Sequence, residues 1–259
     1  MSTQTADLAA AGLDLRIEET VATVTLSRPE RRNAMTPSMW RGLAALEAQI
    51  PDHVRVVVVR GAGPSFCAGI DLRLFSPEGI PGEERGPAAT EPGFADSIAS
   101  YQAGYLWLRN SQFVSIAAVQ GHAIGGGFQL ALACDLRILA KDAKLCMKEP
   151  ALGLVPDLTG TKPLVDIVGL PRAIEICLSA RTIDASEAER LRLAEWVVPT
   201  DELDAKVAEV AAMVQASGVA AARATKALLA QAAQNTLEQQ AAAERETQAR
   251  LQRARAAQQ

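Results

Sequence analysis

Residues Gly125 to Cys134, GGGFQLALAC, constrain the fold more than any other stretch of this 259-residue chain. The segment after the glycines is apolar around most of its circumference, so a short helix there must be enclosed on every side. The glycines ahead of it allow a sharp turn and a close approach of the backbone to its neighbours, because no Cβ intervenes. A glycine turn that opens a buried helix leaves N–H groups unpaired at the helix start, where the helix dipole adds partial positive charge. The stretch therefore reads either as a seat for an oxygen anion or as a tight strand-to-helix turn packed against a neighbour.

Patterns of strand and helix alternate around it. Leu13 to Glu18 and Val21 to Ser27 carry alternating apolar residues, as in a hairpin. Thr36 and Pro37 suit the N-cap and first position of a helix running to about Gln49, with Met39, Leu43 and Leu46 on one face. RVVVVR at Arg55 to Arg60 reads as a buried strand, Ile98 to Leu108 as helix, and Val114 to Val119 as strand. Leu136 to Leu139 and Leu145 to Met147 read as short strands. Helical patterns dominate from Thr159 to Val214, broken by WVVP at Trp196 to Pro199. The segment Ser76 to Gly93 is dense in Pro, Gly and Glu and reads as a mobile loop beside the site. Beyond Asp201 the chain is Ala-rich, with Leu203, Val207, Val210 and Val214 in one stripe that suits a core or an interface between copies. The class is α/β, divided into a core over 1–200 and a helical region over 201–259.

Several functions are disfavoured at once. A net charge of −4 argues against a general nucleic-acid or anionic-membrane surface. No apolar run approaches the ~18 residues of a membrane span, and Met1 to Leu15 has no basic n-region, so a cytoplasmic protein is expected. The four cysteines include no CxxC pair and read as reduced, buried thiols. With His53 and His122 as the two histidines and no GxSxG, a Ser-His triad is disfavoured. No metal-ligand cluster and no GxGxxG fingerprint is visible.

FCAGIDL at Phe66 to Leu72, GHAIGGGFQLALACDLRI at Gly121 to Ile138 and KEPALGLVPDLTGT at Lys148 to Thr161 occur in that order. Together with RPERRNAM and ERETQARL they resemble the crotonase superfamily, the enoyl-CoA hydratases and isomerases. The resemblance implies a spiral of ββα units whose C-terminal helices make trimer contacts, often in a dimer of trimers. It implies an acyl-CoA substrate, no cofactor beyond the CoA that the substrate carries, and no nucleic-acid or membrane partner. The family stabilises a thioester enolate with two backbone N–H groups, by position those of Ile70 and Gly126 here. Ala68, Asp71 and Leu72 belong to the substrate-binding stretch, and Arg32 and Arg73 match positions that contact CoA phosphates. An arginine fork suits phosphate oxygens; without the flanking motifs both would read as solvated surface residues.

The catalytic positions differ from those of the hydratases, which place one glutamate two residues after the glycine triplet and another just before GLxP. Here these are Gln129 and Glu149. A glutamine does not exchange protons near neutral pH, so a two-carboxylate hydration route loses a member. Moving a double bond needs one base, which Glu149 supplies. Gln129 is expected to orient a water, the thioester or Glu149. Asp157 resembles the aspartate that dienoyl-CoA isomerases pair with their glutamate, and it also suits a turn. Isomerisation is thus favoured, with enoyl-CoA hydration or a non-catalytic acyl-CoA binder as alternatives.

Overall fold

The structure is a computed structural model that describes residues 8–83 and 90–257. Strands β1 (Leu13–Glu18) and β2 (Val21–Leu26) form an antiparallel hairpin with Leu13 opposite Leu26. In β2 the alternation buries Ala22, Val24 and Leu26. Helix α1 (Pro37–Ala45) starts at Thr36, whose hydroxyl accepts the Met39 N–H at 3.3 Å. It stops short of Gln49: the Leu46 N–H bonds back three residues to Leu43, and Glu47–Gln49 forms a separate 3-10 turn.

Then follow β3 (Val56–Gly61), α2 (Phe94–Leu106), β4 (Val114–Val119), β5 (His122–Ile124), α3 (Gly126–Ala133), β6 (Leu136–Ala140) and β7 (Lys144–Cys146). Two short helices, α4 (Thr161–Val168) and α5 (Leu170–Ser179), lead to β8 (Ile183–Asp184), α6 (Ala185–Arg190) and β9 (Trp196–Val198). Helices α7 (Leu203–Gln215), α8 (Val219–Ala232) and α9 (Leu237–Ala256) close the chain.

The large sheet runs β1-β2-β3-β4-β6-β9 and is parallel from β2 onward; the small one runs β5-β7-β8. Successive strands leave the large sheet and join the small one after a short corner, β4 to β5 and β6 to β7. A helix follows each pair, so a strand, a corner, a second strand and a helix make the repeating unit. The α/β class and the ββα arrangement expected from the sequence are both present.

The large sheet is apolar on both faces, as VVVV requires. Val57 and Val59 point into the main core with α1 and α3, while Val56 and Val58 meet Leu203, Val210 and Ala211 of α7. Helix α7 thus packs on the sheet although it lies beyond residue 200, and the Leu203 stripe belongs to a core. Helices α8 and α9 contain no fully buried residue. Polar ties fasten α8: Lys226 Nζ donates to the carbonyls of Asn110 and Phe113 at 2.7 and 2.8 Å and to Asp135 at 2.6 Å. Among the described residues no helix is long and apolar enough to cross a membrane, and all four cysteines are free thiols.

Candidate active site

Two turns meet here, and main-chain bonds hold both. Cys67 donates its N–H to His122 O at 2.8 Å and accepts the Ile124 N–H at 2.9 Å, so the FCAGI turn pairs with β5. On its other side Met35 donates to Gly69 O at 2.7 Å and accepts from Asp71 N–H at 2.9 Å. In such a parallel pattern the intervening residue turns its own N–H to the opposite edge. That residue is Ile70, and among the described residues nothing accepts its N–H.

The second turn behaves alike. Gly125, at φ 51°, donates to Cys146 O at 2.8 Å, and the next amide, Gly126 at the start of α3, has no acceptor among the described residues. Two glycines permit the contact between the turns. A Cβ on Gly69 would lie 2.6 Å from Ile124 O, and one on Gly127 would lie 2.5 Å from Cys67 O. Helix α3 is buried along its whole length, as its composition demands. Ile70 and Gly126 line one cavity of about 410 Å³.

The same cavity receives Glu149, at the start of the 3-10 turn Glu149–Leu152. Gln129 Nε2 donates to Glu149 Oε1 at 2.6 Å, while Gln129 Oε1 accepts the N–H groups of Leu158 and Gly160 at 2.9 and 3.1 Å. Those two backbone donors fix which way the amide points: its oxygen is occupied, so it offers Glu149 only a donor. Glu149 is 8% exposed, and its second oxygen, Oε2, is buried without a partner among the described residues. Burial pushes the Glu149 carboxyl above its usual range, opposed by hydrogen bonds from the backbone and Gln129 and reinforced by the charge of Asp157. Asp157 is half-buried, lines the cavity and is also pushed up by burial. Its backbone carbonyl accepts from Gln102 Nε2 at 2.7 Å, which ties this loop to α2.

The remaining expected residues divide. Ala68 and Leu72 line the cavity; Asp71, Arg73 and Arg32 do not. The Asp71 carboxylate accepts from Arg73 Nε and Nη2 at 2.9 and 2.6 Å and from Arg28 Nη2 at 3.2 Å. Bonding to Arg73 above all lowers its pKa to about 2. The Arg73 fork is therefore filled by Asp71, whereas Arg32 is exposed, at φ 50°, and gives its carbonyl to Ala68 N–H at 2.9 Å. His122 Nδ1 lies 3.1 Å from Ser65 Oγ, a structural contact beside the glycine turn.

An apolar wall closes the cavity. Phe94, Ile98 and Tyr101 line it from one face of α2, and Trp40 stacks on Tyr101 with ring centroids 4.7 Å apart. Their spacing of four and three residues marks a helix face, but nothing local says what it faces. Arg28, which helps hold Asp71, is another residue that no local signal singles out.

The family model for enoyl-CoA hydratase/isomerase matches residues 16–259. YngF of Bacillus subtilis (strain 168), assigned as an enoyl-CoA hydratase/isomerase, is 35% identical over 80% of this chain and 77% of its own. The peroxisomal Delta(3,5)-Delta(2,4)-dienoyl-CoA isomerase of Arabidopsis thaliana is 34% identical over 86% of this chain and 81% of its own. A Thermobifida fusca YX protein assigned as an enoyl-CoA hydratase, solved in complex with acetoacetyl-CoA, is 56% identical with a TM-score of 0.89, covering 96% of this chain and 98% of its own.

Proposed function

The chain belongs to the enoyl-CoA hydratase/isomerase family, and from that premise we propose that it moves a double bond along an acyl-CoA thioester. The thioester oxygen sits between the N–H groups of Ile70 and Gly126, each worth roughly 3–4 kcal/mol in the transition state. Glu149 Oε2 removes a proton from the α carbon of a 3-enoyl thioester, and the electron pair spreads over the dienolate onto the thioester oxygen. The same oxygen of Glu149 then returns the proton to the γ carbon, giving the 2-enoyl product. A carboxyl raised by burial suits both halves of this exchange. The chemistry draws on no cofactor beyond the CoA of the substrate. Arg32, and the edge of the Arg73 guanidinium that Asp71 does not occupy, are assigned to the CoA phosphates. That the Thermobifida fusca relative binds acetoacetyl-CoA supports the ligand class.

Gln129 carries the choice of isomerisation over hydration. Its oxygen is occupied by the N–H groups of Leu158 and Gly160, so a hydratase's second carboxylate is replaced by a fixed donor that leaves one oxygen of Glu149 free. A second reading rests on Asp157, which lines the same cavity and whose carboxyl burial pushes above its usual range. There Glu149 and Asp157 act on opposite sides of a dienoyl chain. The discriminating assay follows the conjugated-thioester absorbance of wild type, Glu149→Gln and Asp157→Asn with 3-enoyl-, 3,5-dienoyl- and 2-enoyl-CoA. Loss on Glu149→Gln with retention on Asp157→Asn supports the single base; equal loss supports the pair. Fast hydration of 2-enoyl-CoA surviving Glu149→Gln, or tight binding with no turnover of any thioester, overturns the isomerase.

The exposed side chains of Met213, at 55%, and Leu229, at 69%, border a groove of about 980 Å³ beside α8 and support self-association through the C-terminal helices, as a trimer or dimer of trimers. Leu229→Asp lowers the mass measured by sedimentation if so, and leaves it unchanged if not. Free thiols accord with a cytoplasmic location.

A further inference from the structure

We propose that Tyr105 is a positioning residue that couples the acyl-chain wall of the cavity to the oxyanion amide of Gly126, by way of Trp40. The inference rests on the assignment of Ile70 and Gly126 as the oxyanion donors.

Tyr105 is fully buried and does not line the cavity. Its hydroxyl lies 3.3 Å from Gly126 O, 3.3 Å from Trp40 Nε1 and 3.1 Å from Met35 Sδ. It carries one proton, and a carbonyl is a better acceptor than a thioether, so the proton goes to Gly126 O and the Trp40 N–H donates to the hydroxyl oxygen. Burial keeps this phenol protonated. Gly126 is thus braced from one side. A Cβ placed on it would fall 3.1 Å from Leu158 Cδ1, 3.2 Å from Met35 Sδ and 3.4 Å from the Tyr105 oxygen.

At its far end the chain of contacts reaches the substrate. Trp40 lines the cavity and stacks on Tyr101, which also lines it. An acyl tail pressed on Trp40 therefore presses, through one hydroxyl, on the first residue of α3. Contact energy from a part of the substrate that does not react is expressed in the position of the amide that holds the reacting oxygen, and so in kcat.

The isosteric change Tyr105→Phe separates this from a purely structural role, because it leaves no buried polar atom stranded. Gly126 O keeps its place as a helical acceptor in α3, and Trp40 Nε1 keeps Met35 Sδ at 3.2 Å. The direct readout is the pH at which bound acetoacetyl-CoA becomes an enolate, followed by its ultraviolet absorbance. Wild type is expected to lower that midpoint below the value for free ligand, and Tyr105→Phe to move it back by about one unit, a tenfold weaker grip. In turnover the variant is expected to lose about tenfold in kcat, with KM within twofold, and to lose the rise of kcat with acyl length that the coupling predicts for wild type. Should Tyr105→Phe fail to fold, Trp40→Phe removes the other donor and is expected to lose the same length dependence. A wild-type enolisation midpoint and wild-type kcat in Tyr105→Phe overturn the proposal. If wild type itself leaves the midpoint at the free-ligand value, the oxyanion assignment falls, and the coupling with it.

Discussion

Asp71 and Glu149 are buried almost equally, at 5% and 8% exposure, at two edges of one site, and their surroundings drive them in opposite directions. Two guanidinium groups, of Arg73 and Arg28, clasp Asp71 and hold its pKa near 2. Glu149 has no cation paired with it among the described residues: the amide of Gln129 donates to it, and burial raises it. Burial costs a carboxylate in either place, so the difference lies in whether a cation accompanies it. Beside Ile70 the charge is neutralised in place and holds the turn. Beside Gly125 it is left under-solvated, with one oxygen that has no partner among the described residues, the surroundings that suit the base proposed above.

The two carboxylates are expected to differ most in activity. Glu149→Gln is expected to lose about 10²- to 10⁴-fold in turnover, measured with 3-enoyl-CoA, whereas Asp71→Asn should retain most of kcat and lose chiefly through KM. Gln129→Glu sharpens the contrast: it sets a second carboxyl 2.6 Å from Glu149 Oε1 if the geometry holds. The acid limb of the rate–pH profile then moves upward by about one unit, because the base must lose its proton beside a like charge.

The next effects concern stability. The Asp71 clasp contributes fully above the ordinary aspartate pKa of 3.8 and is lost as pH falls through about 2. Asp71→Asn should therefore lower stability by about 1 kcal/mol, discounted because Arg73 is partly solvated, by the same amount from pH 7 to pH 5, with the deficit shrinking below pH 4 in urea titrations. Glu149 has the opposite sign. Its raised pKa means that the folded state holds a proton the unfolded chain has released, so stability declines as pH rises from 4.5 through the raised value. Glu149→Gln should raise the urea midpoint slightly at pH 7 and leave it unchanged at pH 4.

How much of this could be read beforehand follows from range. The β1–β2 hairpin, the Thr36 cap and the enclosed α3 depend on neighbours within a few residues, so their patterns are complete in the chain itself. Glu149 and Gln129 could be picked out through the motifs that flank them, and Gln129 donates to Glu149, one of the three partners expected of it. The Asp71 clasp was not legible, since Arg28 lies 43 residues away and its role exists only after the sheet has formed. The stripe of α7 was ambiguous because burial in a core and burial between copies demand the same spacing; here it covers the sheet. In the segment read as a mobile loop, Glu83 accepts from both the N–H and the hydroxyl of Ser38 at 2.9 Å, while 84–89 lies outside the described residues. A lone glutamate in a Pro- and Gly-rich stretch gives no sign of such an anchor.

The amide of Ile70 is oriented by the backbone of Met35 and by the fit of Gly69 against Ile124, without recourse to the isoleucine side chain. A substitution at 70 is therefore felt through the cavity wall it lines and not through the direction of its amide, whereas a Cβ at 69 or 127 would push the two turns apart. Of the two turns, only the one at Gly126 touches, among the described residues, the Tyr105 hydroxyl that Trp40 also reaches, so a change in the aromatic wall is felt on that side and not at Ile70.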